Sequence, residues 1–515
     1  MRDLKRFGKV MTALMLSALL ASASLSGCAG ARTETAAAGE AAEETQASEE
    51  PAGETEETGQ ETESEETASG TWGPDHHLSA DQISTSGEYT SEADGEHAIE
   101  ASGTEASYTG IRVTKTGEAD GDEADFYGEN AAVFATDGAS LTISDAVIET
   151  DGTHANGVFS YGEGTTVNIS DSVITTAGNC SGGLMTTGGG TMNASGLTVE
   201  TSGRSSAAIR SDRGGGTVNV TGGYYTTSGM GSPVIYSTAD ITVSDAYLES
   251  TASQGVVVEG KNSVTLNDVT LTADNNTKNS DKSDTYQAVM IYQSMSGDAD
   301  TGTASFAMTG GSLTNKNGDI FFVNNTACQI SLTGARIVNE DRNGVFLRAA
   351  AAGWGTEGEN GGRVTMTASG QTIEGDMIVD QVSVLNLYLK DQSSFTGAVN
   401  EDGAAGSVYV EIESGSTWTL TGDSYITSLT CQAGAVDLNG YTLYVNGAAY
   451  EEGSDSQGEA IETAAESSGH SGKPSGERPE KPSGERPEKP SGEKKPSGER
   501  PSKKPSSEEA ETENA

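Results

Sequence analysis

The chain has 515 residues, 67 of them glycine, and carries 29 basic against 77 acidic side chains for a formal charge of −48. Such a balance excludes a nucleic-acid binder, whose phosphates demand Lys and Arg, and leaves cations, basic surfaces and neutral glycans as partners. The glycines lack the strict triplet period of collagen and so mark frequent turns, which favours one elongated repeat domain over several globular ones.

In chain order, residues 1–27 read as a secretion signal. Arg2, Lys5, Arg6 and Lys9 form a positive start, and Val10 to Ala23 is an apolar run shorter than the roughly 20 residues a membrane span needs. The run ends in Leu25-Ser26-Gly27-Cys28, which resembles a bacterial lipobox. That resemblance implies cleavage before Cys28, thioether lipidation of its sulfur and added fatty acyl chains of the palmitate type. It would anchor the protein firmly on the extracytoplasmic face of the cell membrane, since several acyl chains hold where one does not. Residues 28–72 are then a lipidated cysteine and a tether of Glu, Thr, Ala, Ser and Gly, too polar to offset its own ordering entropy and therefore expected to be disordered. Residues 448–515, with a reiterated Lys-Pro-Ser-Gly-Glu-Arg-Pro-Glu pattern, are expected to be a disordered tail for the same reason.

Between the tails, residues 73–447 repeat at roughly 22 to 26 residues. Leu141-Thr142-Ile143-Ser144-Asp145, Val167-Asn168-Ile169-Ser170-Asp171, Met192-Asn193-Ala194-Ser195-Gly196 and Val218-Asn219-Val220-Thr221-Gly222 share one template, continued by Ile241 to Asp245 and Val264 to Asp268. Alternation of period two means strand, and the closing Asp or Gly suits a tight turn into a second strand marked by Ile148, Ile174, Val199, Tyr225, Leu248 and Leu271. A third short strand precedes each template, as in Ala132-Val133-Phe134 and Gly157-Val158-Phe159. Which of its faces points inward cannot be read from such uniformly apolar triplets. Three short strands per turn, stacked at ~4.8 Å over about a dozen coils, predict an all-β chain: a single parallel β-helix. Residues 73 to 90, with Trp72 nearby, are expected to cover its open N-terminal edge.

This helix-free ladder resembles the right-handed parallel β-helix of the pectin-lyase-like superfamily, and within it adhesin-like bacterial surface lipoproteins. The resemblance spans residues from about 85 to 447 and implies a fold more than an activity. Lyases of that superfamily use an Arg or Lys base beside carboxylate-bound calcium, and the hydrolases use Asp pairs with Gly-His-Gly and Arg-Ile-Lys motifs, which this sequence lacks. Arg210 in Arg210-Ser211-Asp212-Arg213 is the one cluster that could mimic a lyase base, with Tyr236 one coil above it. It could equally clamp a uronate carboxylate, or simply pair with acids.

Three long loops, residues 273 to 287, 293 to 304 and 350 to 362, interrupt the repeat, the last two expected on one edge about two coils apart. Tyr292 and Trp354 sit there beside carboxylates, as in a sugar-gripping site, although Trp354 could instead pack its own loop down. Asp120, Asp122 and Asp125 form a candidate Ca²⁺ loop, without the later glutamate of an EF-hand. His76, His77, His97, His154 and His470 show no zinc spacing, and Cys180, Cys328 and Cys431 fall in coils too far apart for a bridge, reading as buried small hydrophobes or free thiols and not as a disulfide framework. The expected function is a lipid-anchored, monomeric, non-catalytic adhesion or carbohydrate-binding module that meets a glycan, host or cell-wall polymer. A calcium-assisted uronate lyase and a passive spacer are the alternatives.

Overall fold

Alternate apolar side chains along each template strand must share one face, and stacking the strands in register turns those faces into columns. The computed structural model describes residues 72–121, 123–403 and 406–463, all within the first of two compact units, Met1–Ser475. It is nearly all β, with long parallel sheets. Among the described residues no helix is long and apolar enough to cross a membrane.

The repeat unit is a tier of three strands, such as Val133–Thr136, Ser140–Ser144 and Val147–Thr150. Each pairs in parallel with its counterpart in the next tier: Val133 with Val158, Leu141 with Val167, and Val147 with Val173. Ile143, Ile169, Ala194 and Val220 form one column, and Ile148, Ile174, Val199, Tyr225, Leu248 and Leu271 another. These residues are 0–5% exposed and belong to one continuous core. Burying each large apolar side chain contributes about 1.5–3 kcal/mol, so the columns dominate stability.

The structure resolves the face of the first strands. Val133, Val158, Leu184, Ile209 and Ile235 point into the shared core, while Phe134, Phe159, Met185, Arg210 and Tyr236 stand on the opposite side. Both faces are buried, which is why the triplets read as uniformly apolar.

Turns are made by close approach as well as by positive φ. Gly152, Gly178, Gly203 and Gly229 stack at one corner, and a Cβ on any of them would fall 1.8–2.0 Å from the carbonyl oxygen of the glycine one tier below. Two residues on, His154, Cys180 and Ser205 adopt φ of 55–58°. A residue later, Ser181 and Ser206 donate their hydroxyls to Gly152 and Gly178 carbonyls at 2.8 and 3.0 Å. Ser181 also receives the next tier's order, its N–H donating to Ser206 Oγ at 3.0 Å.

Both ends differ from expectation. Gly87–Ser91 pairs beneath Ile111–Lys115 and extends the stack, but Trp72 and His77 lie on the flank, Trp72 against Gly196 and Gly222 and His77 stacked 4.5 Å from Tyr224. At the other end Ala448–Ala449 turns back antiparallel on Leu443–Val445, and residues 456–463 run across the outer face of earlier tiers. Residues 448–463 thus have defined positions, although their composition reads as tail.

Candidate functional site

The outer face of the first-strand sheet carries most of the residues that the sequence singles out, and it is sealed. The short helix Glu123–Tyr127 covers its lower part, with Thr187 Oγ1 donating to the Phe126 carbonyl at 2.7 Å. The three long loops converge over its upper part. Gly353 N–H donates to the Lys282 carbonyl at 2.7 Å, and Asn325 Nδ2 to the Gln293 carbonyl at 2.8 Å. Asn360 Nδ2 holds its own loop closed through the carbonyls of Ala352 and Trp354 at 2.6 and 2.7 Å.

Under these covers Tyr292 and Trp354 meet edge to face, ring centroids 5.2 Å apart, at 0% and 3% exposure. The two loops do emerge together as expected, but the rings serve packing, with no face presented to a ligand. Tyr236 directly neighbours Arg210 on the ladder, as the spacing predicts. Both are also buried. Arg210 Nη2 pairs with Asp125 Oδ2 at 2.9 Å and Asp212 Oδ2 at 3.0 Å, and Asp125 Oδ1 meets His154 Nδ1 at 2.9 Å. Arg213 reaches Asp298 at 2.7 Å and lies 3.9 Å over the Phe126 ring. Glu259 accepts hydroxyl donors from Tyr236, Ser294 and, at 3.1 Å, Tyr292. All four residues proposed for ligand contact are thus internal, and Arg210 is committed to two carboxylates, not positioned as a base. Aromatic rings and charges in a loop gain more by packing and pairing than by staying exposed.

Electrostatics follow from burial. Desolvation works to lower the Arg210 pKa, but Asp125 and Asp212 overcome it and hold the guanidinium more firmly protonated than usual. Burial pushes the Asp212 carboxyl up to about 8, with Arg210 opposing only in part. Burial likewise raises Glu259, against the pull of its Ser294 and Tyr236 donors. A carboxyl that the fold keeps neutral ionises more easily once unfolded, so its contribution to stability is complete below the ordinary carboxylate range, near pH 4, and is lost as pH climbs to about 8. Urea unfolding should therefore show the wild type losing stability between about pH 5 and 8 relative to Asp212→Asn, whose profile is flatter. Parallel profiles would contradict a raised Asp212.

The same geometry places two of the three calcium candidates. Asp120 is exposed, Asp122 lies outside the described residues, and Asp125 is turned inward with both oxygens taken by His154 and Arg210. A guanidinium on that carboxylate repels a second cation. Asp125, His154 and Cys180 do bring ligand atoms within 4.8 Å of one another, a cluster invisible to sequence spacing because it joins separate segments. Cys180, however, is disulfide-bonded, so its sulfur is no thiolate donor. Of the three cysteines read as buried thiols, Cys328 and Cys431 are free. Cys28 lies outside the described residues.

The open surface is elsewhere, on the outward side of the template strands. There Ser140, Thr166, Thr191 and Thr217 form one column and Thr142, Asn168, Asn193 and Asn219 the next. Asn193 Nδ2 donates to Asn168 Oδ1 at 2.9 Å and Asn219 Nδ2 to Asn193 Oδ1 at 3.0 Å. Each amide in this ladder keeps further donor and acceptor capacity toward solvent. The ladder lines an open depression with Ser170, Ser195 and Thr221. Half-buried Trp72 lies outside its lining, its ring against the Gly196 and Gly222 bends, about 10 Å along the strand from Asn219. Sequence reasoning passed over this site, although Asn recurs at one position of three successive templates.

No protein-family model matches the chain, and no curated protein matches it.

Proposed function

We propose that the chain is a lipid-anchored surface module, a right-handed parallel β-helix of the pectin-lyase-like kind, that binds uncharged glycan non-catalytically through the Asn168–Asn193–Asn219 ladder. One observation carries the reading: an open, preorganised row of amides and hydroxyls, with a tryptophan ring at the bends beyond it, in a strongly acidic chain. Amides and hydroxyls match the donors and acceptors of sugar hydroxyls, and an indole edge or face packs on the apolar side of a sugar ring. Because the amides hold one another in place, little side-chain entropy is lost on binding.

On a glycan array the full chain is expected to bind neutral glycans, and Asn193→Arg/Asn219→Arg to lose at least about tenfold, equivalent to roughly one or two hydrogen bonds. No neutral-glycan signal from the wild type, or an undiminished one from the variant, would overturn the reading. The anchor is tested separately. Cys28→Ala should move the protein from the membrane fraction to the medium, and mass spectrometry of the wild type should find a diacylglyceryl thioether on Cys28. A Cys28 recovered in a disulfide would contradict lipidation.

A further inference from the structure

We infer that the ligand of this face is a linear, uncharged polysaccharide laid across the tiers, perpendicular to the strands, and read along its length instead of at its end. The inference rests on the glycan-binding reading above and names its substrate class.

The chain itself shows how an extended polymer sits on this face. Residues 456–463 cross the outward side of earlier tiers, those from Cys431 back to Thr365, starting from a reciprocal backbone pair between Ser456 and Cys431 at 3.0 Å. Gly458 N–H donates to Thr430 Oγ1 at 3.1 Å and Glu459 N–H to Ser428 Oγ at 3.0 Å. Asn386 then grips both polar groups of Ile461, donating to its carbonyl at 2.6 Å and accepting from its N–H at 3.0 Å, and Thr463 meets Thr365 at 2.9 Å. From Ser428 through Tyr409 to Asn386 is two tiers, about 9.6 Å, and Glu459 to Ile461, from the N–H of the first to the carbonyl of the last, reaches across it in extended form, about 10 Å. Outward Ser, Thr and Asn side chains of the Ser428, Asn386 and Thr365 tiers therefore serve as grips for a chain crossing them.

The same columns continue below the segment. Asn386 is in register with Thr365, Gln329, Ser305, Ser263 and onward to Thr166. From the tier of Ser140 to the tier of Gln329 there are seven steps, a face roughly 34 Å long. Across its three outward columns Asp240 is the only charged side chain, and it accepts from Ser263 Oγ at 2.7 Å. Charge chooses the occupant. A polyuronate would meet the field of a −48 chain and no Arg or Lys on the face to receive it. A basic peptide, the chain's own Lys- and Arg-bearing C-terminal repeat included, would find carboxylates only at the bends beyond the face, at Asp145, Asp171, Asp245 and Asp268, and none beside the Asn ladder itself. A neutral polymer of repeated hydroxyls matches both the spacing and the missing charge.

The test is calorimetric titration of the full chain with cello- and chito-oligosaccharides of two to ten units, beside oligogalacturonates of equal length and a synthetic Lys-Pro-Ser-Gly-Glu-Arg-Pro-Glu peptide. Neutral oligomers should bind at least tenfold more tightly as hexamer than as dimer, level off once the chain outruns the face, and exceed both charged probes at least tenfold. Asn193→Arg/Asn219→Arg should abolish the length dependence, while Asn219→Gln, which keeps the amide, should retain it. Equal affinity for dimer and hexamer, preference for either charged probe, or no binding by any neutral oligomer overturns the inference. A neutral array signal that persists in those cases would leave the broader glycan-binding reading standing.

Discussion

Replacing Arg210 with leucine is expected to lower unfolding stability by about 3–5 kcal/mol. The guanidinium is 4% exposed and its two carboxylate partners, Asp125 and Asp212, are 0% exposed. Taking away the guanidinium leaves Asp125 buried without that compensation, which costs far more than the net worth of the intact pair. Arg112 supplies the contrast. It meets Glu149 at 2.5 Å, shorter than either contact of Arg210, but the two side chains are 34% and 49% exposed. Water and salt screen that pair, so Arg112→Leu should change stability by no more than about 1 kcal/mol. Urea unfolding of both variants at one pH checks the difference, and similar losses would contradict the sealed cluster.

The second large effect concerns the glycine corner. Gly178→Ala should cost at least about 3 kcal/mol, because its methyl would sit 1.9 Å from the Gly152 carbonyl oxygen. Relief by a backbone shift is closed off from both sides. Gly203 approaches Gly178 as closely from above, and the Ser181 and Ser206 hydroxyls pin the Gly152 and Gly178 carbonyls. None of this depends on positive φ, which appears two residues later at Cys180. Gly73→Ala, where a methyl meets nothing within 4 Å, should stay within about 0.5 kcal/mol. Equal urea midpoints for the two variants would show that the tiers stack less tightly than described.

These two sites mark where sequence reading reached and where it stopped. The template columns were legible because one face of each strand is solvated: Thr142 alternates with Leu141 and Ile143, and only one register buries the apolar set. The Arg210–Tyr236 adjacency followed from the same period. The first strands carry no such contrast, since Val133 faces the core and Phe134 lies under the covering segments, so their orientation had to come from the structure. Covering itself was hidden. Asp125 reaches Arg210 across 85 residues by way of a five-residue helix, a contact that no periodicity encodes. Trp354 and Tyr292 looked like ligand contacts because of their loops, yet each ring gains more by burying against the other. The asparagine ladder was spelled out at Asn168, Asn193 and Asn219, as was the glycine–x–x–serine corner at Gly178, Gly203 and Gly229. Small polar residues at fixed positions draw less attention than aromatics, although in a stacked chain their repetition is the stronger signal.

Thiol-labelling protection locates the binding surface most directly. Asn193→Cys and Glu357→Cys variants of the full chain would each react with a polar thiol reagent with and without the strongest neutral glycan from the array, the native Cys328 and Cys431 being buried. The account predicts labelling slowed at least about fivefold by glycan at position 193, where sugar would cover the ladder, and unchanged at position 357. Protection at 357 with none at 193 would place the ligand on the loop face and contradict the central claim.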